Sequence, residues 1–130
     1  MTARRVLSVG QCSADHGSIS WTFERAFDAE VVPAASADEA LQKLRQDAYA
    51  LVLVNRVFDH DGSSGLDLVQ AIKADEALRQ VPVMLVSNYE DAQAQAVQAG
   101  AVPGFGKSAL GQPRMLERVG AYLASGSSGA

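Results

Sequence analysis

Residues 51-LVLVNRVFDHDGSSGLDLV-69 hold the key to the topology. The first four are a continuous apolar run, the pattern of a parallel strand buried on both faces. The run stops at a polar residue, Asn55. An acidic, glycine-bearing loop follows, and then Leu66, Val69 and Ile72 recur at helical spacing. Strand, polar strand end, loop and helix in that order are half of a βαβ unit. In sheets built from such units, ligands bind in the crevice at the carboxyl ends of the strands. A carboxylate would be the expected chemistry at such an end, and here there is an amide.

The same alternation repeats on either side. Val6–Val9 reads as a strand, 10-GQCSADHGS-18 as a polar loop, and Ile19, Phe23, Ala26 and Phe27 as the inner stripe of a helix. A strand follows at Glu30–Ala34. Ser36 with Glu39 three residues on has the spacing of a capping box. The helix it opens carries Ala37, Ala40, Leu41 and Leu44 and ends near Asp47. The central strand is Ala50–Val54, and the helix after it reaches Leu78. Val81–Val86 is another buried strand, with Pro82 near its start where a missing N–H costs least. Asn88 reads as the cap of a fourth helix that stops at Gly100, a suitable C′ residue. Ala101–Phe105 is a weak fifth strand. Pro113 suits the first turn of a last helix carrying Met115, Leu116, Val119, Tyr122 and Leu123. Five strands alternating with five helices predict an α/β, doubly wound parallel sheet. One domain is expected over 1–124, with 125-SGSSGA-130 a flexible tail or linker by composition.

The totals agree with one domain. The chain has 130 residues, 48% hydrophobic and 20% charged, enough apolar surface for a core and no compositional case for disorder. The net charge of −4, without clustered cations, argues against a nucleic-acid surface. A single cysteine, Cys12, excludes an intramolecular disulfide. No apolar run approaches the roughly 20 residues needed to span a bilayer, and no signal peptide is legible, so a soluble cytoplasmic protein without membrane contact is expected.

Several segments together carry a resemblance: 36-SADEAL-41, 65-GLDLV-69, 82-PVMLVS-87, and 99-AGA-101 followed by Lys107. Over about 4–124 the chain resembles a response-regulator receiver domain, the phosphoacceptor module of bacterial two-component signalling and phosphorelays. The resemblance implies a flavodoxin-like (CheY-like) five-stranded sheet of order 2-1-3-4-5. It also implies a site at the strand ends. The acidic pair that helps a receiver hold Mg²⁺ falls on Gly10 and Gln11. The phosphoacceptor aspartate falls on Asn55. Ser87 and Lys107 match the retained hydroxyl and lysine, although Ser108 stands where proline is usual. The switch aromatic falls on Gly104, with Phe105 one place away and expected on the other side of the sheet. The loop from Asn55 to Gly65 is longer than the family spacing and carries Asp59 and Asp61, and the fourth helix is correspondingly short.

Those departures have chemical consequences. Phosphoryl transfer needs an anionic oxygen nucleophile and a cation to balance developing charge. Asn55 has no ionisable group, and Mg²⁺ prefers carboxylate oxygens. Weak or absent Mg²⁺ binding, no cofactor and no enzymatic activity are therefore expected. Lys107, deprived of its carboxylates, is expected to be solvated or paired with a loop acid, or to hydrogen-bond Asn55 or Gln11. The expected role is a pseudo-receiver that binds a protein partner (a histidine kinase, another receiver or an output domain) without Asp-phosphate control. A single engineered Asp→Asn change is disfavoured, because it would leave acids at 10 and 11.

Other readings of the same residues are weaker. Cys12, His16, Asp59, His60 and Asp61 come from loops at one edge of the sheet, but no compact metal-ligand spacing joins them. Gly104–Lys107 lacks the spacing of a phosphate-binding loop, and no nucleophile elbow surrounds Ser87. Trp21 points away from the helix stripe and is a candidate binding anchor; the alternative places it partly buried over the sheet edge. Tyr89, Gln93, Gln98, Pro103, Arg114 and Arg118 fall on the face of helix 4, strand 5 and helix 5, where the family resemblance puts the partner surface. A small-molecule or metal sensor reusing the emptied crevice is the alternative function.

Overall fold

The computed structural model describes residues 4–128, with side chains through Leu123. The strands are β1 (Arg4–Val9), β2 (Ala29–Ala34), β3 (Leu51–Asn55), β4 (Val83–Val86) and β5 (Val102–Phe105). They form one parallel sheet in the order β2-β1-β3-β4-β5. The helices are α1 (Ser13–Phe27), α2 (Ala37–Gln46), α3 (Gly65–Ala74), α4 (Glu90–Gln98) and α5 (Pro113–Ser128), with a 3₁₀ turn at Lys107–Ala109. Among the described residues no helix is long and apolar enough to cross a membrane.

Alternation along the central strands sorts the core into two layers. Leu7, Val9, Val52 and Val54 pack under α2, α3 and α4 with Leu44, Leu68 and Ile72. Val6, Leu51, Leu53 and Met84 pack under α1 and α5 with Ile19, Phe23, Val119 and Leu123. Every residue of β3 is buried, as its unbroken apolar run requires. Pro33 lies in β2, an edge strand paired only to β1, where its missing N–H disrupts no second ladder.

Local chemistry explains most boundaries. The Ser36 hydroxyl accepts from the Glu39 N–H, and the Glu39 carboxylate accepts from the N–H of Ala35, closing α2's start from both directions. Gly100, at φ 112°, follows Ala99, the C-cap of α4, as a C′ glycine. Four expectations are corrected. Helix α1 begins at Ser13, so most of the stretch read as loop is helical, with Asp15 in its first turn favouring the positive end of the dipole. Ala26 of that helix is exposed, and the inner stripe is Ile19, Phe23 and half-buried Phe27. Helix α3 stops at Ala74 rather than Leu78, because the Asp75 carboxylate accepts from the Ala77 N–H and offers the backbone a turn. Asn88 does not cap α4; its side chain accepts from the N–H and hydroxyl of Ser108 instead. Helix α5 runs to Ser128, and residues 129–130 of the stretch read as a tail lie outside the described residues.

Candidate functional site

The carboxyl ends of β3 and β4 bring Asn55 and Ser87 to one crevice, which Lys107 lines from the turn after β5, while Gly10 and Gln11 follow the end of β1, with the Gly10 carbonyl beside Asn55. Asn55 is buried, at 9% exposure. Its Nδ2 donates to the carbonyl of Gly10 at 3.0 Å and to that of Val57 at 2.7 Å. Both partners are acceptors, so this position requires a donor. An aspartate here would set oxygen against oxygen twice. The amide ties the end of β3 to the end of β1 and to its own loop.

Gly10 is shaped by a ring. Its φ of 78° lies in the left-handed region. A Cβ at this position would meet the Phe58 ring at 2.2 Å. Phe58, in the β3–α3 loop, is 1% exposed and joins the core layer under α2, α3 and α4. The loop is fastened around it: the Asp59 N–H donates to the Gly10 carbonyl at 2.9 Å, and the Phe58 N–H donates to the Ser63 carbonyl at 2.9 Å. The residue that the resemblance assigns to the first position of the acidic pair is thus a glycine under an aromatic lid. At Gln11, the second, the buried amide atoms have no hydrogen-bond partner among the described residues.

Mg²⁺ does not fit this arrangement. Gly10 is covered by an aromatic ring, Gln11 offers one neutral amide oxygen, and the amide of Asn55 presents N–H groups to carbonyls. Of the loop acids, Asp61 is held below the usual carboxylate range by the Ser63 hydroxyl and then by the Ser63 N–H, from which it accepts at 2.9 Å. Asp59 and His60 are exposed. Among the described residues no three His, Cys, Asp or Glu side chains gather as a metal-ligand group.

Lys107 pairs with an acid that the sequence reading placed in a loop and the structure places on a helix. Its Nζ donates to the Asp15 carboxylate of α1 at 2.6 Å. That hydrogen bond holds the Asp15 carboxyl below its ordinary value. No hydrogen bond joins Lys107 to Asn55 or Gln11 among the described contacts. Ser87 is buried, and its hydroxyl accepts from the Tyr89 N–H at 3.1 Å. Ser108 uses the backbone N–H that a proline would lack to bind Asn88.

At Gly104 sequence reasoning missed a partner. Met84 pairs with Val102 and Val86 with Phe105, so β5 carries one residue more than β4 over this interval, a β-bulge. Pro103, inside it, has no N–H. The Gln93 side chain of α4 fills the gap: its Nε2 donates to the carbonyls of Leu85 at 2.9 Å and Ser87 at 3.1 Å, and its Oε1 accepts from the Gly104 N–H at 3.1 Å. On the other side, Arg118 of α5 donates to the Gly104 carbonyl at 2.6 Å. A Cβ on residue 104 would meet the Leu85 carbonyl oxygen at 2.2 Å, so no aromatic stands there. Phe105 packs in the layer under α1 and α5. The available signal was a glutamine on the inner side of α4 opposite a Pro-Gly pair in β5.

Of the candidate surface residues, Trp21 is 62% exposed with Arg25 stacked 4.7 Å from its ring centroid, and Tyr89 is 61% exposed with Arg56 at 4.9 Å. Pro103, Arg114 and Arg118 line a shallow groove beside β5 and α5.

No protein-family model and no curated protein sequence matches the chain. Solved structures do. A provisionally assigned response regulator from Chloroflexus aurantiacus J-10-fl superposes with a TM-score of 0.83 at 20% identity, covering 95% of this chain and 99% of that one. NtrX from Brucella abortus gives 0.79 at 21% identity, covering 95% of this chain and 27% of NtrX. The signal receiver domain of a DNA-binding response regulator from Colwellia psychrerythraea 34H gives 0.76 at 19% identity, covering 91% and 96%. With the strand order β2-β1-β3-β4-β5 and five helices, the chain has the flavodoxin-like, CheY-like fold of response-regulator receiver domains.

Proposed function

We propose that the chain is a pseudo-receiver: a receiver scaffold that docks a protein partner in bacterial two-component signalling or a phosphorelay without accepting a phosphoryl group. The observation that carries this reading is the Phe58 ring over Gly10, where a receiver needs a metal-binding carboxylate. Loss of a ligand can be reversed by one substitution, but a buried ring set into the core cannot. The Asn55 amide, committed to two carbonyls, supports the same reading. Asp59 and Asp61 do not replace the lost nucleophile, since phosphoryl transfer rests on positioning and charge balance that an exposed loop does not supply.

Partner candidates are a histidine kinase, another receiver or an output domain, met in the cytoplasm. Tyr89, Arg114 and Arg118 on the α4–β5–α5 side and Trp21 on α1 are the side chains we assign to docking. The Gln93 and Arg118 contacts hold α4, β5 and α5 together through Gly104. Such a face has one arrangement, so its affinity is set by composition rather than by a population shift. The test is intact mass and melting temperature with Mg²⁺ plus acetyl phosphate or beryllofluoride. No adduct and no shift are expected. A covalent phosphate, or a Mg²⁺-dependent rise in melting temperature, would end the proposal.

A further inference from the structure

The crevice is closed at β1 but open at β4. There a cavity of about 240 Å³ is lined by Asn55, Ser87, Asn88 and Lys107. It adjoins a groove of about 510 Å³ between α3 and α4, and Arg56, Val57 and Tyr89 line both. The groove descends between Leu66 and Ala92 to the β4 residue Leu85. It exists because α4 presents small side chains to the sheet: Ala96 is its one buried residue and Ala92 is half-buried. It does not collapse because the Gln93 amide fixes α4 to β4 and β5. Its volume falls within the roughly 300–1,000 Å³ of small-molecule sites.

The lining selects the occupant. At the crevice end are two cations, Arg56 and Lys107, with a hydroxyl and two amides and no carboxylate. Among the described residues Arg56 has no ion-pair partner; its guanidinium lies over the Tyr89 ring. Lys107 is held at the crevice edge by Asp15. Along the groove, Val57 at 41% and Tyr89 at 61% exposure leave apolar surface uncovered beside the cation. Asp91, on the first turn of α4, is the groove's single carboxylate. We infer that the crevice and the α3–α4 groove together form one preformed cleft for a small organic anion with a flat apolar body. The anionic group lies toward Arg56, Ser87, Asn88 and Lys107, and the body lies against Tyr89, Val57 and Leu85. This adds a ligand site to the docking face and does not rest on the partner reading.

The experiment uses the full ¹⁵N-labelled chain and two probes of equal shape and opposite charge, 2-naphthalenesulfonate and 2-naphthylmethylammonium, followed by backbone amide shifts. The sulfonate is expected to give saturable shifts at 56–57, 66 and 85–92. The ammonium should bind at least about tenfold more weakly, and Arg56→Met and Ala92→Phe should each weaken the sulfonate by a similar factor. Absence of saturation into the millimolar range, shifts centred elsewhere, or equal binding of both probes would each overturn the inference. The comparison of the two probes needs no variant, so it decides the matter even where Ala92→Phe fails to fold.

Discussion

On the β1 side of the crevice an aromatic ring lies over Gly10, the position that the resemblance assigns to a carboxylate; on the β4 side a hydroxyl, an amide and a lysine face open space. Both sides lie at the ends of parallel strands that flank β3, and they differ in what surrounds their polar positions. The β1 side is packed against the hydrophobic core, so its identity is tied to stability. The β4 side presents polar groups with partners of their own: Asp15 for Lys107, the Tyr89 N–H for Ser87, Ser108 for Asn88. Substitutions on the first side should therefore be felt in folding, and those on the second in binding.

Phe58→Ala should show the largest effect. Emptying a fully buried ring costs about 3–5 kcal/mol, through lost transfer energy and the cavity left behind. Chemical denaturation would measure it. A loss below about 1 kcal/mol, the size of an ordinary surface change, would mean that the ring is not part of the core. Asn55→Asp comes next and bears directly on function. The restored acid would face the carbonyls of Gly10 and Val57 now served by the amide. We expect a loss of about 2–4 kcal/mol at neutral pH, since two donors vanish and a charge is left buried. Acetyl phosphate should still leave no adduct. An unchanged melting temperature with a new phosphate mass would show that the β1 side is less closed than its geometry says.

The clamp at Gly104 lies between the two regimes. Gln93→Ala leaves the Gly104 N–H and the carbonyls of Leu85 and Ser87 without their side-chain partner. A cost of about 1–3 kcal/mol is expected, with faster amide exchange at Gly104. Unaltered exchange there would mean that the bulge holds itself, and the single arrangement argued for the docking face would lose its basis.

Much of this was legible in the sequence, and the remainder was hidden for a physical reason. The strand run 51–54, the Ser36–Glu39 cap and the helix stripes are local patterns with fixed periods, and the parallel α/β alternation followed from them, while the sheet order came from the family resemblance. Asn55 could be placed at a strand end, but not its reason, because its two acceptors lie on β1 and in the following loop. Phe58 carried no signal, since one aromatic in a polar loop fits neither period; only its pairing with Gly10, far away in the chain, gives it meaning. Gln93 was read as a surface residue for the same reason. Its partners sit on β4 and β5, and a bulge is not visible until two strands are in register.

The smallest effect separates the open side from the closed one by pH. Asp15 and Lys107 are each more than a third exposed as side chains, so solvent screening limits the pair to about 1 kcal/mol or less. Its sign is nevertheless fixed. The hydrogen bond from Lys107 lowers the Asp15 carboxyl below its ordinary 3.8 in the folded chain. A depressed acid contributes stability that is fully present above the unfolded value and is lost as pH falls through the lower folded value. The advantage of the native chain over Asp15→Asn should therefore be constant near neutrality and shrink as pH is taken below 3.8. Phe58→Ala contains no titrating group, and its deficit should persist across the same range. An Asp15→Asn difference that stayed constant into acid would mean that Lys107 does not select the charged carboxylate, and the lysine would then be free to turn wholly into the crevice.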